Sequence, residues 1–149
     1  MRYTPRMKAE SNLGGLLGKS SRLLANVFNN DLVKHNLTIA QWTLLALLWD
    51  KDNQSQKELQ EELLKNKATI TSLITYLIKN GFITKSKDEL DRRSYIVSLT
   101  NKGREMQRVT IPIAIQNIGI ATKEITQSDL ETTNKVLSQI INNLTQEHS

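Results

Sequence analysis

The chain has 149 residues, a formal net charge of +5, 38% hydrophobic residues and no cysteine. This length fits one ordinary domain with a real core, and the lack of thiols excludes disulfides, thiol redox sensing and thiolate metal sites in these residues. His35 and His148 are far apart in sequence, so we expect no metal site and no cofactor. The basic charge favours a polyanionic partner without identifying it.

The N-terminal segment carries no targeting signal that we recognise. Residues 1–10 are basic and polar without an apolar core, and no segment approaches the ~18 apolar residues of a membrane span. We therefore expect a soluble, cytoplasmic protein with no membrane partner.

The first half of the chain is predicted to be helical. Leucines and a valine recur every three or four residues over 12–33, which predicts a first helix. Thr38 and Gln41 form a capping-box pattern that opens a second helix ending near Trp49.

A third, short helix opens at the capping-box pair Ser55 and Glu58. It is predicted to bury Leu59 and Leu63, with Leu64 as a further candidate.

A fourth helix is predicted over 67–80, with Asn66 as its N-cap and Gly81 as its stop. Its apolar side chains point inward in this prediction, namely Ile70, Leu73, Ile74 and Leu77. The other face consists mainly of small, polar and basic side chains, which offer donors to phosphates and base edges. The candidate DNA contacts on this face are Lys67, Ala68, Thr69, Thr71, Ser72, Thr75, Tyr76 and Lys79. The alternative is an ordinary solvated surface.

The period then changes to that of a β-hairpin. Residues 82–85 and 94–99 are rich in β-branched and aromatic types, and the polar residues 86–93 separate them. An arginine gains from the negative potential of a narrow minor groove, whereas a carboxylate is repelled by phosphate. The candidate DNA contacts of the hairpin are Lys85, Lys87, Arg92 and Arg93. We expect Asp91 to hold the hairpin in shape, by pairing with an arginine or by capping the turn.

Two long helices end the chain. Thr100 is the predicted cap of a helix that runs to about Thr122, and Pro112 is expected to kink it. Thr126 and Asp129 open the last helix, in which leucines recur every seven residues. This apolar stripe needs cover, either within its own domain or at a dimer seam with the first helix.

Charge supports the dimer seam. Residues 1–22 carry a net +4, from Arg2, Arg6, Lys8, Lys19 and Arg22 against Glu10, and residues 124–149 carry a net −3. The attraction between such exposed charges is modest. We expect dimerisation helices over 12–33 and 123–146. The residues predicted at this seam are Leu13, Leu16, Leu130, Leu137, Ile141 and Leu144.

Five groups of residues carry a resemblance to a known family. They are Leu37-Thr38 with Gln41-Trp42 and Leu44-Leu45; Ser55-Gln56 with Leu59; Lys67 with Thr69, Thr71 and Leu73; Leu77 with Asn80-Gly81-Phe82-Ile83; and Asp91-Arg92-Arg93 with Leu99-Thr100-Asn101-Lys102-Gly103. In this order, over about residues 12–145, the chain resembles the MarR (multiple antibiotic resistance regulator) family of winged-helix transcription factors. The resemblance implies a mainly α fold with a small β-hairpin wing. It implies one domain over 1–149 with a winged helix-turn-helix lobe over 37–100.

The resemblance also implies a function. It implies a nucleoid-associated homodimer that binds double-stranded DNA at a pseudo-palindromic operator, with repression as the family's usual action. One wing arginine enters the groove and the other is held in ionic contacts. We expect Arg92 to contact DNA and Arg93 to pair with Asp91, and the reverse assignment stays open. This chain has Ser72 and Leu90 where relatives often have arginine, so DNA backbone and shape are expected to outweigh base readout.

Many members of the family release DNA when a small aromatic molecule binds. Phe28, His35, Trp42 and Tyr76 are the aromatic candidates here, but the spacing of Trp42 is typical of core, so we assign no ligand residue. A winged-helix protein-interaction module without operator binding is the alternative function. An enzyme is not expected, because the chain has no Gly-rich phosphate loop and no recognisable catalytic set.

Overall fold

The computed structural model describes residues 12–147, with side chains through residue 146. The chain divides into two compact units, the first ending at Ile115 and the second beginning at Gln116. The predicted N-terminal charges at Arg2, Arg6, Lys8 and Glu10 lie outside the described residues, as does His148.

Six α-helices and three short strands make up the described chain. In chain order they are α1 Leu13–Leu32, a 3-10 turn Val33–His35, α2 Ile39–Asp50, β1 Gln54–Ser55, α3 Gln56–Leu63, α4 Lys67–Lys79, β2 Ile83–Lys87, β3 Tyr95–Leu99, α5 Asn101–Ala121 and α6 Gln127–Glu147. The mainly α fold with a small β wing is therefore confirmed. α5 remains one helix across Pro112, and the kink predicted there stays a prediction.

Side-chain caps open the helices where the sequence predicts them. Both halves of the capping box form at Thr38 with Gln41 and at Ser55 with Glu58. The remaining caps accept backbone N–H groups at 2.8–3.1 Å, namely Asn66 from Thr69, Thr100 from Gly103 and Thr126 from Asp129. Such caps satisfy donors that the first helical turn leaves without partners.

The sheet has three antiparallel strands in the order β1-β3-β2. β2 pairs with β3 from Ile83 opposite Leu99 to Lys87 opposite Tyr95. The hairpin therefore turns over residues 88–94, and the prediction that the loop begins at 86 is wrong. Residues 86–87 continue the strand because β3 supplies their pairing partners. β1 is a further strand that the sequence did not predict.

One apolar core joins the end of α1, α2, α3, α4 and the sheet. Its members are less than a tenth exposed, and they are Phe28, Leu32, Leu37, Leu44, Leu45, Leu48, Leu59, Ile70, Ile74, Leu77, Phe82, Ile83, Val97 and Leu99. The inward side of α4 is as predicted, with Leu73 half-buried. Leu64 is wrong as a core candidate, since it is 70% exposed. It ends α3 with a φ of +53°, so its side chain leaves the helical stripe.

The start of α5 is fixed closely to this core. Trp42 Nε1 donates to Thr110 Oγ1 at 2.6 Å, and Trp49 Nε1 donates to the Gly103 carbonyl at 2.9 Å. Gly103 lies against the Phe82 backbone, and a Cβ there would collide with the Phe82 carbonyl oxygen. The glycine of the Leu99–Gly103 motif is thus required by close approach.

Candidate nucleic-acid interface

The surface that the sequence singles out is built on α3, α4 and the hairpin. Asn66 ends the turn after α3 and caps α4, and Ile70, Ile74 and Leu77 fix one side of α4 in the core. The opposite side is therefore set by the helical period. It faces away from the core along its whole length.

Seven of the eight predicted residues on α4 are exposed, namely Lys67, Ala68, Thr69, Thr71, Ser72, Thr75 and Lys79. Tyr76, the eighth, is half-buried, and its hydroxyl donates to the Asn36 carbonyl at 2.9 Å. Tyr76 thus connects α4 to the turn before α2. The exposed face offers hydroxyls, methyl groups and ammonium groups.

Two aspartates shape the tip of the hairpin, which we call the wing (residues 83–99). Asp88 Oδ1 accepts the Leu90 N–H at 2.9 Å, and Asp91 Oδ1 accepts the Arg93 N–H at 3.1 Å. Aspartate commonly stabilises turns by accepting a backbone N–H two residues further on. Both carboxylates are therefore structural parts of the turn.

The predicted ion pair between Asp91 and Arg93 is not present. In the part of the chain that the structure describes, Asp91 contacts the backbone of Arg93, and no salt bridge joins it to either wing guanidinium. Asp91 was expected to hold the hairpin either by an ion pair or by capping the turn, and in the structure it caps the turn. Arg92 and Arg93 are both exposed. The contact between Asp91 and Arg93 thus leaves both guanidinium groups available.

The lysines of the wing lie on one side of β2. Lys85 and Lys87 are two residues apart, so they share a face of the strand, and both are exposed. The Lys85 ammonium lies 4.4 Å from the centroid of the Tyr95 ring, within cation–π range. Leu90 at the wing tip is 98% exposed, so an apolar side chain lies open at this end of the wing.

A cleft of about 510 Å³ brings these parts together. It lies between the first half of α3, the first turns of α4 and the part of the wing near its tip. Its walls carry four cations, Lys57, Lys67, Lys85 and Arg93, and one carboxylate, Asp91. Thr71 and Tyr95 also line it, so the predicted helix and hairpin residues border one surface.

Five lining residues of the cleft were missed by sequence reasoning, namely Gln56, Lys57, Gln60, Ser94 and Tyr95. Gln56 and Lys57 begin α3 and contribute to the wall. Gln56 Nε2 donates to Thr71 Oγ1 at 2.8 Å. For Gln56 and Lys57 the available signal was their position directly after the N-cap Ser55, which places them in the first turn of α3.

Asp52 fixes the base of the wing and was also missed. Its Oδ1 accepts the Leu99 N–H at 2.9 Å, and its Oδ2 pairs with Arg104 Nη2 at 3.2 Å. Asp52 therefore joins the turn after α2 to the end of β3 and the start of α5. The sequence shows it only as part of a polar turn.

The aromatic candidates for an effector do not form one site. Phe28 and Trp42 pack edge to face in the core, with ring centroids 4.9 Å apart. The Tyr76 hydroxyl donates its hydrogen bond to the Asn36 carbonyl. The assignment of Trp42 to the core is supported by its contacts, and no ligand residue is added.

Residues 12–147 contain no group of three or more His, Asp or Glu side chains placed to hold a metal ion. None of the helices described is long and apolar enough to cross a membrane.

Comparison with known proteins identifies the family. A family model described as the MarR family matches residues 37–95. The organic hydroperoxide resistance transcriptional regulator of Bacillus subtilis is 31% identical over 115 residues, which cover 77% of this chain and 78% of that protein. The transcriptional regulator SarZ of Staphylococcus epidermidis is 27% identical over 114 residues, 75% of this chain and 77% of that one.

The fold agrees with solved structures of the same family. A MarR protein from Peptoclostridium difficile superposes with a TM-score of 0.89 at 25% identity, over 99% of this chain and 95% of that one. Proteins of this family are transcriptional regulators, a class distinct from enzymes. The chain belongs to the MarR family of winged-helix transcriptional regulators.

Proposed function

We propose that the protein is a transcriptional regulator that binds double-stranded DNA through α4 and the wing. The cleft between them carries the proposal, because four cations and several hydroxyl groups from α3, α4 and the wing border one surface. A helix of this kind fits the major groove of B-DNA, and arginines on an adjacent hairpin reach phosphates or the minor groove. Asp91 caps the wing turn and is the one carboxylate among the residues that line the cleft.

The proposed DNA contacts are those expected from the sequence, with Gln56 and Lys57 added. On α4 they are Lys67, Ala68, Thr69, Thr71, Ser72, Thr75 and Lys79, with Tyr76 as a support; on the wing they are Lys85, Lys87, Arg92 and Arg93. Few of these side chains form bidentate base contacts. Backbone contacts and DNA shape therefore dominate affinity.

The proposed active form is a homodimer on a pseudo-palindromic operator, acting as a repressor. Exposed apolar side chains on α1, including Leu13, Leu16 and Leu23, support an interface there. α6 by itself also exposes apolar side chains, including Ile141 and Leu144. A two-fold dimer of winged helices reads two half-sites about one helical turn apart.

Release by a small aromatic effector is the proposed control. It rests on membership of the family, and no binding residue is assigned. The 149 residues contain no cysteine, so an oxidant cannot act through a thiol of this chain. A thermal-shift screen of small aromatic acids, followed by titration of the DNA complex, tests this control.

The experiment begins with selection of bound fragments from genomic DNA. Fluorescence anisotropy of a selected duplex is then measured over a salt series. Arg92→Ala is expected to lower affinity for every sequence and to reduce the slope of log K against log salt by about one, because one phosphate-directed cation is lost.

Lys51→Ala is the matched control for charge. Lys51 is exposed and lies in a separate cleft lined by Asp50, Glu58, Glu61 and Glu62. Its removal also lowers the net charge by one but is expected to leave the slope unchanged. An Arg92→Ala binding curve identical to that of the wild type would remove the wing from the interface. Binding of proteins but of no selected duplex would favour the protein-interaction module.

A further inference from the structure

A hydrogen bond joins the helix before the DNA-facing helix to its exposed face. Gln56, the first residue of α3, donates from Nε2 to Thr71 Oγ1 at 2.8 Å. Among the described residues this is the one side-chain hydrogen bond between α3 and α4. Both residues line the cleft between α4 and the wing. The bond therefore lies within the surface proposed to meet DNA.

This bond determines whether the Thr71 hydroxyl donates or accepts a hydrogen bond toward other groups. A threonine hydroxyl has one proton and two lone pairs, and here one lone pair accepts from Gln56. The Thr71 proton is then left to donate outward.

Thr75, one turn later, has the opposite arrangement. Its hydroxyl donates to the Thr71 carbonyl at 2.8 Å, as threonines within helices often do. It presents an acceptor oxygen and a methyl group. Neighbouring turns of α4 thus offer a donor and then an acceptor.

The donor of Thr71 and the acceptor of Thr75 fit different groups on the base edges of the major groove. Guanine O6 and N7, adenine N7 and thymine O4 accept hydrogen bonds, whereas adenine N6 and cytosine N4 donate them. We propose that Gln56 and Thr71 form one base-reading unit, in which Gln56 orients the Thr71 hydroxyl to donate to an acceptor on a base edge. Gln56 is a positioning residue in this unit. The inference rests on the proposed binding of duplex DNA.

The test is a scan of single base-pair substitutions in a selected duplex, read by anisotropy. Four proteins are compared: wild type, Thr71→Val, Gln56→Met and the double variant. Valine keeps the shape of threonine without its hydroxyl, and methionine keeps the length of glutamine without its donor. Gln107→Met is the control, because Gln107 is an exposed glutamine of α5 that does not line the cleft.

The wild type is expected to lose roughly tenfold in affinity when the base pair read by Thr71 is changed. Thr71→Val and Gln56→Met each abolish that discrimination at the same base pair, and the double variant loses no more than either. Thr71→Ser, which retains the hydroxyl, and Gln107→Met both keep the discrimination. The salt slope stays that of the wild type, which separates base reading from a loss of phosphate contacts.

Two results would overturn the unit. In one, Gln56→Met keeps full discrimination while Thr71→Val loses it. In the other, the two variants act at different base pairs and their losses multiply. Thermal unfolding of each variant shows that it remains folded. A wild type that binds no duplex overturns the proposed function and this inference together.

Discussion

The winged lobe buries most of its apolar side chains, whereas α1 and α6, each taken by itself, leave many of theirs exposed. In the lobe, residues 37–100, most of the apolar side chains of α2 and α4 are buried almost completely, namely Leu44, Leu45, Leu48, Ile70 and Ile74. In α1, Leu16 is 60% exposed, and in α6, taken by itself, Leu144 is 56% exposed. Contiguous exposed apolar surface of this kind marks an interaction site. The lobe thus buries its core together with Phe28 and Leu32 of α1, and we propose that the exposed stripes of α1 and α6 meet a partner surface.

The strongest way to break this comparison is to charge a terminal helix. Leu16→Glu is expected to convert the proposed dimer to a monomer at micromolar concentration, because a carboxylate is costly to bury at a seam. Affinity for a two-half-site duplex is expected to fall at least about a hundredfold, since two linked binding events become one. Sedimentation and anisotropy measure the two effects.

Leu64→Glu is the matched control for association. Leu64 is exposed to a similar degree but belongs to the lobe, in the turn before α4. Its sedimentation is expected to match that of the wild type. If Leu16→Glu sediments as the wild type does, α1 is not part of a dimer seam.

Gly103→Ala tests how tightly the lobe holds the start of α5. The new Cβ meets the Phe82 carbonyl oxygen, so backbone has to move. We expect a loss of about 3 kcal/mol in the free energy of unfolding, at the upper end for an overpacked site. Gly119→Ala is the control, since no atom outside the local helix lies within 4 Å of its Cβ position. A stability equal to that of the control would show that the close approach is relieved cheaply.

A smaller effect is expected at the base of the wing. Asp52→Ala removes the acceptor of the Leu99 N–H and the partner of Arg104, and we expect a loss of about 1–3 kcal/mol in urea unfolding. Arg104→Ala removes only a largely exposed ion pair, for which the loss is about 0–1 kcal/mol. Equal losses in the two variants would mean that the Leu99 hydrogen bond contributes nothing.

What the sequence predicts well is local. The caps at Thr38, Ser55, Asn66 and Thr100 act over three residues, so their patterns are visible in the chain itself. The inward face of α4 follows from helical periodicity in the same way. These local signals account for the helix starts and for the exposed face of the candidate interface.

What the sequence does not show depends on distant partners. β1 is two residues long and exists because β3 pairs with it some forty residues later. The bond between Gln56 and Thr71, and the one between Asp52 and Leu99, likewise join separate elements. At Asp91 both an ion pair and a cap were open, and the turn geometry selects the cap.

The central claim is that the lobe reads duplex DNA, and one affinity ratio tests it most directly. The dissociation constants of the wild-type protein are measured at physiological salt for a selected duplex and for a scrambled duplex of the same length and composition. A ratio of about a thousand, at the lower end for specific regulators, is the predicted result. Equal constants for the two duplexes would contradict the account.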